Sequence, residues 1–327
     1  MSPRQSILII KPSSLGDVVH TLPAVASIRA ANPDAEITWL INPEWSTLLR
    51  GNPDIDHVRI FPRTDFRGLG APLSLIPWLS QTRQLRPDVA ADFQGLLRSA
   101  LIGRISGAHR FFGLSDAREG ARHFYDQVAP VEHGSHAVDR YLKLAEIMGA
   151  TIPSPLRFPL PSGDPLPRFD DYPPFILLHP FARGRGKSLR RAVVNEICRA
   201  CSPTRVIVVG QAKLRIEAPE NCLNLCGQTT LLQLIRLIRT AGFVITVDSG
   251  PMHIAAAVSD RLVSIHSWTD PRRVGPYNSN AWIWRNGDLQ QMRDFPAMGN
   301  IKTGRRFRAS DAGSVVELAQ KFVSKPN

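Results

Sequence analysis

The sequence lacks several features that define large classes of protein. No apolar stretch among its 327 residues approaches the roughly 18 to 20 residues that cross a bilayer. The first residues, MSPRQSILIIK, have neither the length nor the cleavage site of a signal peptide, so a cytosolic location is expected. Aromatic residues are only 7% of the chain, and neither a recognition motif nor a stacking pattern for nucleic acid is found.

Cysteine is also scarce. The four cysteines are Cys198, Cys201, Cys222 and Cys226, whose spacings fall within loose limits for a zinc site. However, the first two lie in a helical pattern and the second two flank a short predicted strand. Reduced, partly buried thiols are therefore the preferred interpretation, with zinc as the alternative.

Positive charge is what the chain has in excess. The net charge is +12, from 40 basic and 28 acidic residues. The first 163 residues hold 17 basic and 15 acidic side chains, whereas the remainder holds 23 and 13. Such a field attracts phosphates, acidic sugars, nucleic acid or an anionic membrane leaflet, and charge alone does not choose among them.

Short β-rich runs alternate with helical patterns on both sides of a proline-rich span. Apolar strands without polar alternation are typical of parallel sheets that are covered on both faces. We therefore predict an α/β fold with Rossmann-like domains at residues 1–160 and 175–308, joined by a linker at 161–174. Residues 309–327 are predicted as a C-terminal helix that opens with Ser310. Two such domains bind ligands in a cleft at the carboxyl ends of their strands.

The first candidate site is the turn KPSSLGD, which follows the apolar run ILII. Ser13, Ser14 and Gly16 present backbone N–H groups at a helix start, which is a natural anion site. Gly16 would also let the backbone approach a ligand closely. Asp17 has two interpretations: it caps the helix, or it is a general base on a rigid support.

The second candidate site is TVDSGPMH, which follows the apolar run FVI. Asp248 or Ser249 can cap a helix, Gly250 tightens the turn, and Pro251 suits a first helical turn. The helix start favours a diphosphate ligand. His253 is predicted either to donate to that ligand or to be a buried, satisfied histidine.

The basic loop HPFARGRGKSLRRA, residues 179–192, is a third candidate. Its Gly186, Lys187 and Ser188 resemble the end of a phosphate-binding P-loop, but Phe181 occupies the position of the first glycine. The loop suits phosphate binding without being an ATPase loop, and a solvated basic loop is the alternative.

One further motif resembles the metal-binding D-x-D of some sugar transferases. Asp54 and Asp56 lie between a predicted helix and a predicted strand, away from the predicted ligand turns. We interpret the segment as a turn, with metal binding as the alternative.

Taken together, these motifs resemble glycosyltransferase family 9, the heptosyltransferases of the lipopolysaccharide inner core. KPSSLGDVVHTLPAV is similar to the N-terminal signature, DFQGLLRSALIGRISGA to the mid-domain segment, and TVDSGPMHIAAAV to the donor signature. DAREGARHFYDQ and HAVDRYLKLAEIMG are most similar to heptosyltransferase I. The resemblance covers most of the chain.

The resemblance implies a GT-B fold whose C-terminal helix packs back on the N-terminal domain. It implies inverting transfer from ADP-L-glycero-β-D-manno-heptose to Kdo-lipid A, at the inner membrane of a Gram-negative bacterium. No metal cofactor is expected, because helix N-termini and Lys187 can carry the diphosphate charge. Asp17 would be the base, and Lys187, Asp248, Ser249, Gly250 and His253 would bind the donor.

Acidic sugars of the acceptor are expected to meet arginines in the first domain, because guanidinium groups match carboxylates. The candidate arginines are Arg63, Arg67, Arg122 and Arg140, and solvated surface arginine is the alternative for each. Peripheral contact with anionic membrane is expected from the positive charge. No nucleic-acid partner is expected.

Two departures from the family pattern leave alternatives open. Phe181 and Ala182 replace threonines that often precede the family lysine. The stretch after residue 208 is short, which predicts that a helix that usually supplies a ribose-binding glutamate is trimmed. Glu217 and Glu220 are the candidates for that glutamate. A transferase with another donor or acceptor and a non-catalytic sugar-nucleotide-binding protein therefore remain as alternatives.

Overall fold

The chain forms two compact units, Met1–Pro161 and Ser162–Asn327. The computed structural model describes residues 4–63, 71–166, 174–184, 186–210, 216, 219–296 and 304–324, with backbone alone at 71–73. Part of the proline-rich linker, Arg67 and Glu217 lie outside these described residues.

The first unit is a six-stranded parallel sheet with the strand order β3-β2-β1-β4-β5-β6. Short 3₁₀ helices at Pro43–Leu49 and Ala121–Phe124 connect some of its elements. In chain order its strands and α-helices are β1 (Ser6–Ile10), α1 (Leu15–Ala31), β2 (Glu36–Ile41), β3 (His57–Ile60), α2 (Ala71–Arg83), β4 (Val89–Asp92), α3 (Leu97–Ile105), β5 (Arg110–Leu114), β6 (Gln127–Ala129) and α4 (Ala137–Ile147).

The second unit is a seven-stranded sheet with the order β13-β12-β11-β10-β7-β8-β9, parallel except for the β12–β13 pair. Short 3₁₀ helices lie at Met292–Asp294 and Ala309–Asp311. Its elements are β7 (Phe175–His179), α5 (Arg191–Ala200), β8 (Arg205–Val208), β9 (Cys222–Asn224), α6 (Leu231–Thr240), β10 (Phe243–Val247), α7 (Gly250–Val258), β11 (Leu262–Ile265), α8 (Pro271–Val274), β12 (Trp282–Arg285), β13 (Asp288–Gln291) and α9 (Ala312–Val323).

The apolar strands form these sheets because both of their faces are buried. The residues of β7 and β10 are buried without exception, as expected for central parallel strands between helical layers. The predicted α/β fold with two Rossmann-like parallel sheets is confirmed.

Each sheet has a point where the strand order reverses, and open α/β sheets bind ligands there. In the first unit this point lies between β1 and β4, and in the second it lies between β7 and β10. The predicted turn containing Asp17 follows β1. In the second unit the basic loop follows β7 and the turn containing Asp248 follows β10, so the fold places all three candidate segments at these points.

The C-terminal helix packs on the core of the second unit. Helix α9 packs on α5, β7 and β10, and Val315, Val316 and Ala319 are part of the core of the second unit. Its apolar face is buried within the second unit, and the packing of this helix on the first domain stays a prediction. The capping residue is Asp311 rather than Ser310, and it accepts a hydrogen bond from the Arg308 N–H at 2.8 Å.

Candidate active site

Asp17 lies in the first turn of α1, and two residues hold its carboxylate. Oδ2 accepts hydrogen bonds from the Ser14 backbone N–H at 3.0 Å and from the Ser14 hydroxyl at 2.7 Å. Oδ1 lies 3.4 Å from the Tyr141 hydroxyl on α4. The carboxylate is half-buried, and the bonds to Ser14 face solvent. Asp17 therefore caps the helix start and also presents a fixed, accessible carboxylate.

A buried lysine lies behind this carboxylate. The Lys11 ammonium donates to the Phe93 carbonyl at 2.9 Å and to the Tyr141 hydroxyl at 2.7 Å. Burial lowers the pKa of Lys11, whereas Asp17 and Asp92 oppose that effect. Burial, together with Asp17, raises the pKa of Tyr141 well above its ordinary value, so the phenol keeps its proton. Because Lys11 donates to the phenol oxygen, the Tyr141 hydrogen is directed toward Asp17.

In the second unit, the turn after β10 holds a buried ion pair with a lysine of the basic loop. The Lys187 ammonium lies 2.6 Å from Oδ2 of Asp248, whose side chain is 8% exposed. Asp248 also accepts a hydrogen bond from Thr269. Burial disfavours the charged carboxylate, but His266 and Lys187 hold the pKa of Asp248 below its ordinary range. The loop lysine is thereby fixed beside the start of α7.

Two buried histidines lie at the same edge of this sheet, at the ends of β7 and β11. His179 ends β7, and its Nδ1 lies 3.4 Å from the Ser249 hydroxyl. His266 follows β11 and contacts the hydroxyls of Ser264 at 2.8 Å and Thr269 at 3.0 Å. Burial lowers the pKa of both imidazoles to about 4, so both are neutral near pH 7.

The backbone conformation of the basic loop depends on two glycines. Gly184 and Gly186 have φ values of +101° and +80°, which other residues rarely adopt, so the Gly-x-Gly spacing serves backbone shape. The Lys187 ammonium of this loop lies 5.2 Å from the ring centre of Trp268, which follows β11 and is half exposed. A cavity of about 540 Å³ lies beside this loop, and Ser188, Arg190 and Arg306 are among the residues that line it.

The remaining donor-site predictions fall on the same turn. Ser249 precedes α7 as its N-cap residue, and Gly250 is the first residue of α7. His253 is buried within that helix.

In the first unit, Ser13 donates its backbone N–H to Gln94 at 3.2 Å, and Gly16 is buried at the second position of α1. Gly16 has no positive φ, so its conformational freedom is not required there.

The candidate acceptor arginines do not form one cluster. Arg140 pairs with Asp116 at 2.7 Å and stacks near Tyr141, which places it beside the Asp17 site. Arg122 is exposed in the 3₁₀ helix after β5. Arg63 is exposed after β3 and lines a different cavity, next to α2 and α3. Arg67 lies outside the described residues.

The two aspartates of the D-x-D motif have structural partners. Asp54 is buried and pairs with Arg157 at 3.1 Å, while Asp56 pairs with Arg29 and accepts the Ile37 N–H at 2.8 Å. These contacts agree with the interpretation of the segment as a turn.

The cysteines lie close together without forming a recognisable metal site. The sulfurs of Cys198 and Cys222 are 3.2 Å apart, and none of the four cysteines forms a disulfide. Within the residues that the structure describes, no group of three or more histidine, cysteine or acidic side chains could hold a metal ion. Glu220, a candidate for ribose binding, is exposed just before β9.

Lys11, Tyr141, Trp268 and Thr269 are the site residues that sequence reasoning missed. A signal exists for two of them, because Trp268 and Thr269 follow the apolar strand β11 as the other candidate turns follow theirs. Lys11 and Tyr141 are 130 residues apart, so no local pattern connects them.

The chain is similar to proteins of known family. The family model for glycosyltransferase family 9 (heptosyltransferase) matches residues 78–302. The chain is 26% identical over 292 residues to the lipopolysaccharide core heptosyltransferase OpsX of Haemophilus influenzae, covering 84% of this chain and 82% of that protein. It is 28% identical over 290 residues to lipopolysaccharide heptosyltransferase 1 of Pseudomonas aeruginosa, covering 83% and 81%.

Among solved structures, the E. coli heptosyltransferase WaaC with ADP has a TM-score of 0.72 and 22% identity, covering 85% of this chain and 92% of that one. A second WaaC structure holds ADP-2-deoxy-2-fluoro heptose. The shared fold is of the GT-B type.

Proposed function

Because the chain belongs to glycosyltransferase family 9 and is a glycosyltransferase, we propose that it transfers heptose to the lipopolysaccharide inner core. The proposed donor is ADP-L-glycero-β-D-manno-heptose, and the proposed acceptor is Kdo-lipid A. The names of the relatives support the sugar, and the nucleotides held by WaaC support the adenosine diphosphate leaving group.

Asp17 is the proposed general base, and the carboxylate geometry carries the proposal. A hydroxyl becomes a competent nucleophile when its proton is removed in the transition state, which needs a positioned, accessible base. Asp17 meets that need because Ser14 fixes one oxygen and Tyr141 contacts the other. Attack by the acceptor oxygen on the anomeric carbon then forms the new glycosidic bond, ADP leaves, and the configuration at that carbon is inverted.

The second unit is the proposed donor-binding unit. Departure of ADP leaves negative charge on the diphosphate, and N–H groups at a helix start and a cation stabilise that charge. The start of α7 at Ser249 and Gly250 supplies the N–H groups, and Lys187 supplies the cation. Asp248 positions Lys187, and His253 is a proposed donor of a hydrogen bond. Glu217 and Glu220 remain the candidates for ribose binding.

Acceptor binding is proposed for Arg63, Arg67, Arg122 and Arg140. Arg140 has the strongest support, because it lies next to Tyr141 and its Asp116 partner is itself partly exposed. Alanine substitution of an arginine that truly contacts the acceptor should weaken acceptor binding by roughly 1.5 to 3 kcal/mol. If acceptor affinity is unchanged in all four single variants, this placement is wrong.

The reaction is proposed to need no divalent metal, because Lys187 and the start of α7 can carry the diphosphate charge. Transfer measured in chelator should equal transfer in buffer alone. Activity that disappears in chelator and returns with magnesium or manganese contradicts this proposal.

We also propose that the protein acts at the cytoplasmic face of the inner membrane, because the proposed acceptor is a lipid. No helix in the described part of the chain is long and apolar enough to cross a bilayer. Contact would therefore be made at the surface of the membrane.

The donor can be identified by comparing ADP-heptose with ADP-glucose and UDP-glucose. A ligand that binds only the folded protein raises its melting temperature, so ADP-heptose should give the largest increase. Release of ADP should then require Kdo-lipid A. Donor binding without ADP release in the presence of acceptor would identify a non-catalytic binding protein instead, and a larger increase with UDP-glucose would contradict the proposed donor.

A further inference from the structure

Trp268 is a large aromatic side chain that the fold leaves exposed. Among the described residues, it is the one aromatic member of the exposed large apolar side chains, and half of its surface is open to solvent. The other tryptophans of the second unit, Trp282 and Trp284, are partly and fully buried. A single exposed apolar residue needs no explanation by itself. The surroundings of Trp268 therefore decide its role.

The surroundings place Trp268 beside the lysine of the proposed diphosphate site. The Lys187 ammonium lies 5.2 Å from the centre of the indole ring. The backbone of Gly186 is also close, because a Cβ atom placed on Gly186 would lie 3.6 Å from the indole nitrogen. The same Cβ atom would lie 3.5 Å from a terminal guanidinium nitrogen of Arg306. The indole ring, the ammonium and a second cation thus meet at the basic loop.

The strand order places Trp268 next to the diphosphate site along the edge of the sheet. Strands β10 and β11 are parallel neighbours, so the turns that follow them lie side by side. The turn after β10 leads to the start of α7, where the diphosphate is proposed to bind. Trp268 lies in the turn after β11, and its neighbour Thr269 donates a hydrogen bond to Asp248. A group bonded directly to the diphosphate can therefore reach the indole ring.

We propose that the indole ring of Trp268 stacks against the sugar that the donor transfers. A six-membered sugar ring has a flat face of C–H groups, which leaves water favourably for an aromatic surface, while its hydroxyls stay at the rim. The transferred sugar is bonded directly to the diphosphate, whereas ribose separates adenine from it. The inference rests on the proposed function, because the proposed donor site fixes where the diphosphate lies.

Polar groups suited to sugar hydroxyls lie close to the ring. A cavity of about 540 Å³ adjoins the basic loop, and Gly186, Ser188, Ser267 and Arg306 are among the residues that line it. Ser267 directly precedes Trp268 in the chain. Small-molecule sites combine apolar and aromatic surface with a few placed polar groups. The hydroxyls and the guanidinium group beside the indole ring give this combination.

The test compares binding of ADP with binding of ADP-heptose by calorimetry, with the full chain and without acceptor. ADP has the diphosphate, ribose and adenine but lacks the sugar, so a contact with the sugar affects only ADP-heptose. Trp268→Ala should weaken ADP-heptose binding about tenfold and change ADP binding less than about twofold, since Asp248 still holds Lys187. Trp268→Phe should keep most of the affinity, because the smaller aromatic ring also stacks.

Two further variants serve as controls. Lys187→Met should weaken ADP and ADP-heptose equally, because both ligands carry the diphosphate. Val274→Ser replaces another exposed apolar side chain of the second unit, and it should change neither affinity. Because Trp268 and Val274 are both exposed, the melting temperatures of their variants should stay close to that of the unsubstituted chain.

Three outcomes would overturn the proposal. Equal losses for ADP and ADP-heptose in Trp268→Ala would place the ring against the nucleotide instead of the sugar. Unchanged binding of ADP-heptose would show that the ring contacts no part of the donor. A loss in Trp268→Phe as large as that in Trp268→Ala would contradict stacking.

Failure of this inference is distinguishable from failure of the proposed function. Calorimetry without acceptor needs no transfer, so it tests the stacking contact even in a chain that binds the donor without reacting. If the variant comparison fails while the unsubstituted chain releases ADP from ADP-heptose in the presence of Kdo-lipid A, only the role of Trp268 is wrong.

Discussion

The turn after β1 and the turn after β10 both lie next to the point where strand order reverses in their sheets, but they hold their carboxylates differently. Asp17 is half-buried and accepts hydrogen bonds from the neutral donors Ser14 and Tyr141, while the Lys11 ammonium contacts Tyr141 rather than donating directly to the carboxylate. Asp248 is 8% exposed and contacts the charged Lys187 at 2.6 Å. A carboxylate with neutral donors at the surface can take a proton during a reaction. One that is buried against a cation is held ionised, and its main effect is to fix that cation.

The comparison shows that one fold can place the same residue type in two different electrostatic environments. Both aspartates follow central strands next to the point where strand order reverses. Their surroundings, rather than their positions in the fold, separate the proposed base of the first unit from the positioning residue of the second. The predictions below test this separation.

The largest effect is expected for Asp17→Asn. The amide keeps the shape of the side chain and can still accept the Ser14 N–H, but it cannot take the acceptor proton. Turnover should fall roughly 10²- to 10⁴-fold while the melting temperature and donor affinity stay nearly unchanged. Asp248→Asn is the matched control, and its effect should be on donor affinity and stability.

If Asp17 only caps the helix, the result is different. Asp17→Asn would then be nearly silent, and Asp17→Ala would cost about 0.5 to 2 kcal/mol of stability. An active Asp17→Asn enzyme removes the base from the proposed mechanism.

Acid should destabilise the second unit through His266. The folded state holds the pKa of His266 at about 4, against an ordinary value of 6.5, because the imidazole is buried; Arg285 and Lys187 act in the same direction, while Asp248 and Asp270 oppose it. Below pH 6.5 the unfolded chain takes up a proton that the folded chain does not. The free energy of unfolding should therefore fall by about 3 kcal/mol between pH 6.5 and 4 through this residue.

Denaturant unfolding measured across that range checks this prediction. His266→Gln should reduce the number of protons taken up on unfolding by about one between pH 6.5 and 4. The depressed pKa of Asp248 acts in a lower window, because its contribution is lost only as pH falls below the ordinary value of 3.8. An unchanged slope in His266→Gln between pH 6.5 and 4 contradicts the prediction.

Lys187→Met should affect both stability and donor binding. Without the ammonium, the Asp248 carboxylate is left buried without its cation, which should cost about 2 kcal/mol, since the lysine itself is partly exposed. Donor affinity should fall about tenfold, the lower range for a charged hydrogen bond. Adding Asp248→Asn should restore stability without restoring donor affinity. Restoration of both would place Lys187 outside the donor site.

The smallest effect is expected for Tyr141→Phe. Loss of the hydroxyl removes a donor from the Asp17 carboxylate, so the acidic limb of the pH–turnover profile should move to higher pH with only a few-fold loss at its maximum. Tyr125→Phe is a matched control, because Tyr125 donates to the buried Asp92 at 2.8 Å rather than to Asp17. A similar shift in both variants would show a general effect on the unit.

Sequence patterns predicted much of the fold and part of the site. The apolar runs predicted the strands, and the Pro-rich span predicted a break near residue 161. The three turns, including Asp17, Lys187 and Asp248, were found because each follows an apolar strand. The apolar periodicity of α9 predicted that it has a buried face, but not that the core of the second unit buries it. The family assignment from ordered motifs is confirmed.

The sequence by itself determined the elements, the turns at their ends and the family, because strand and helix periodicity and turn chemistry act over a few residues. Only the tertiary structure decided that Lys187 meets Asp248, 61 residues away, and that Tyr141 meets Asp17, 124 residues away. It also decided which apolar residues of α2 and α3 stay exposed. Contacts of this kind depend on how strands are ordered in a sheet and on which helix covers each face, and neither is encoded in any single short stretch of chain.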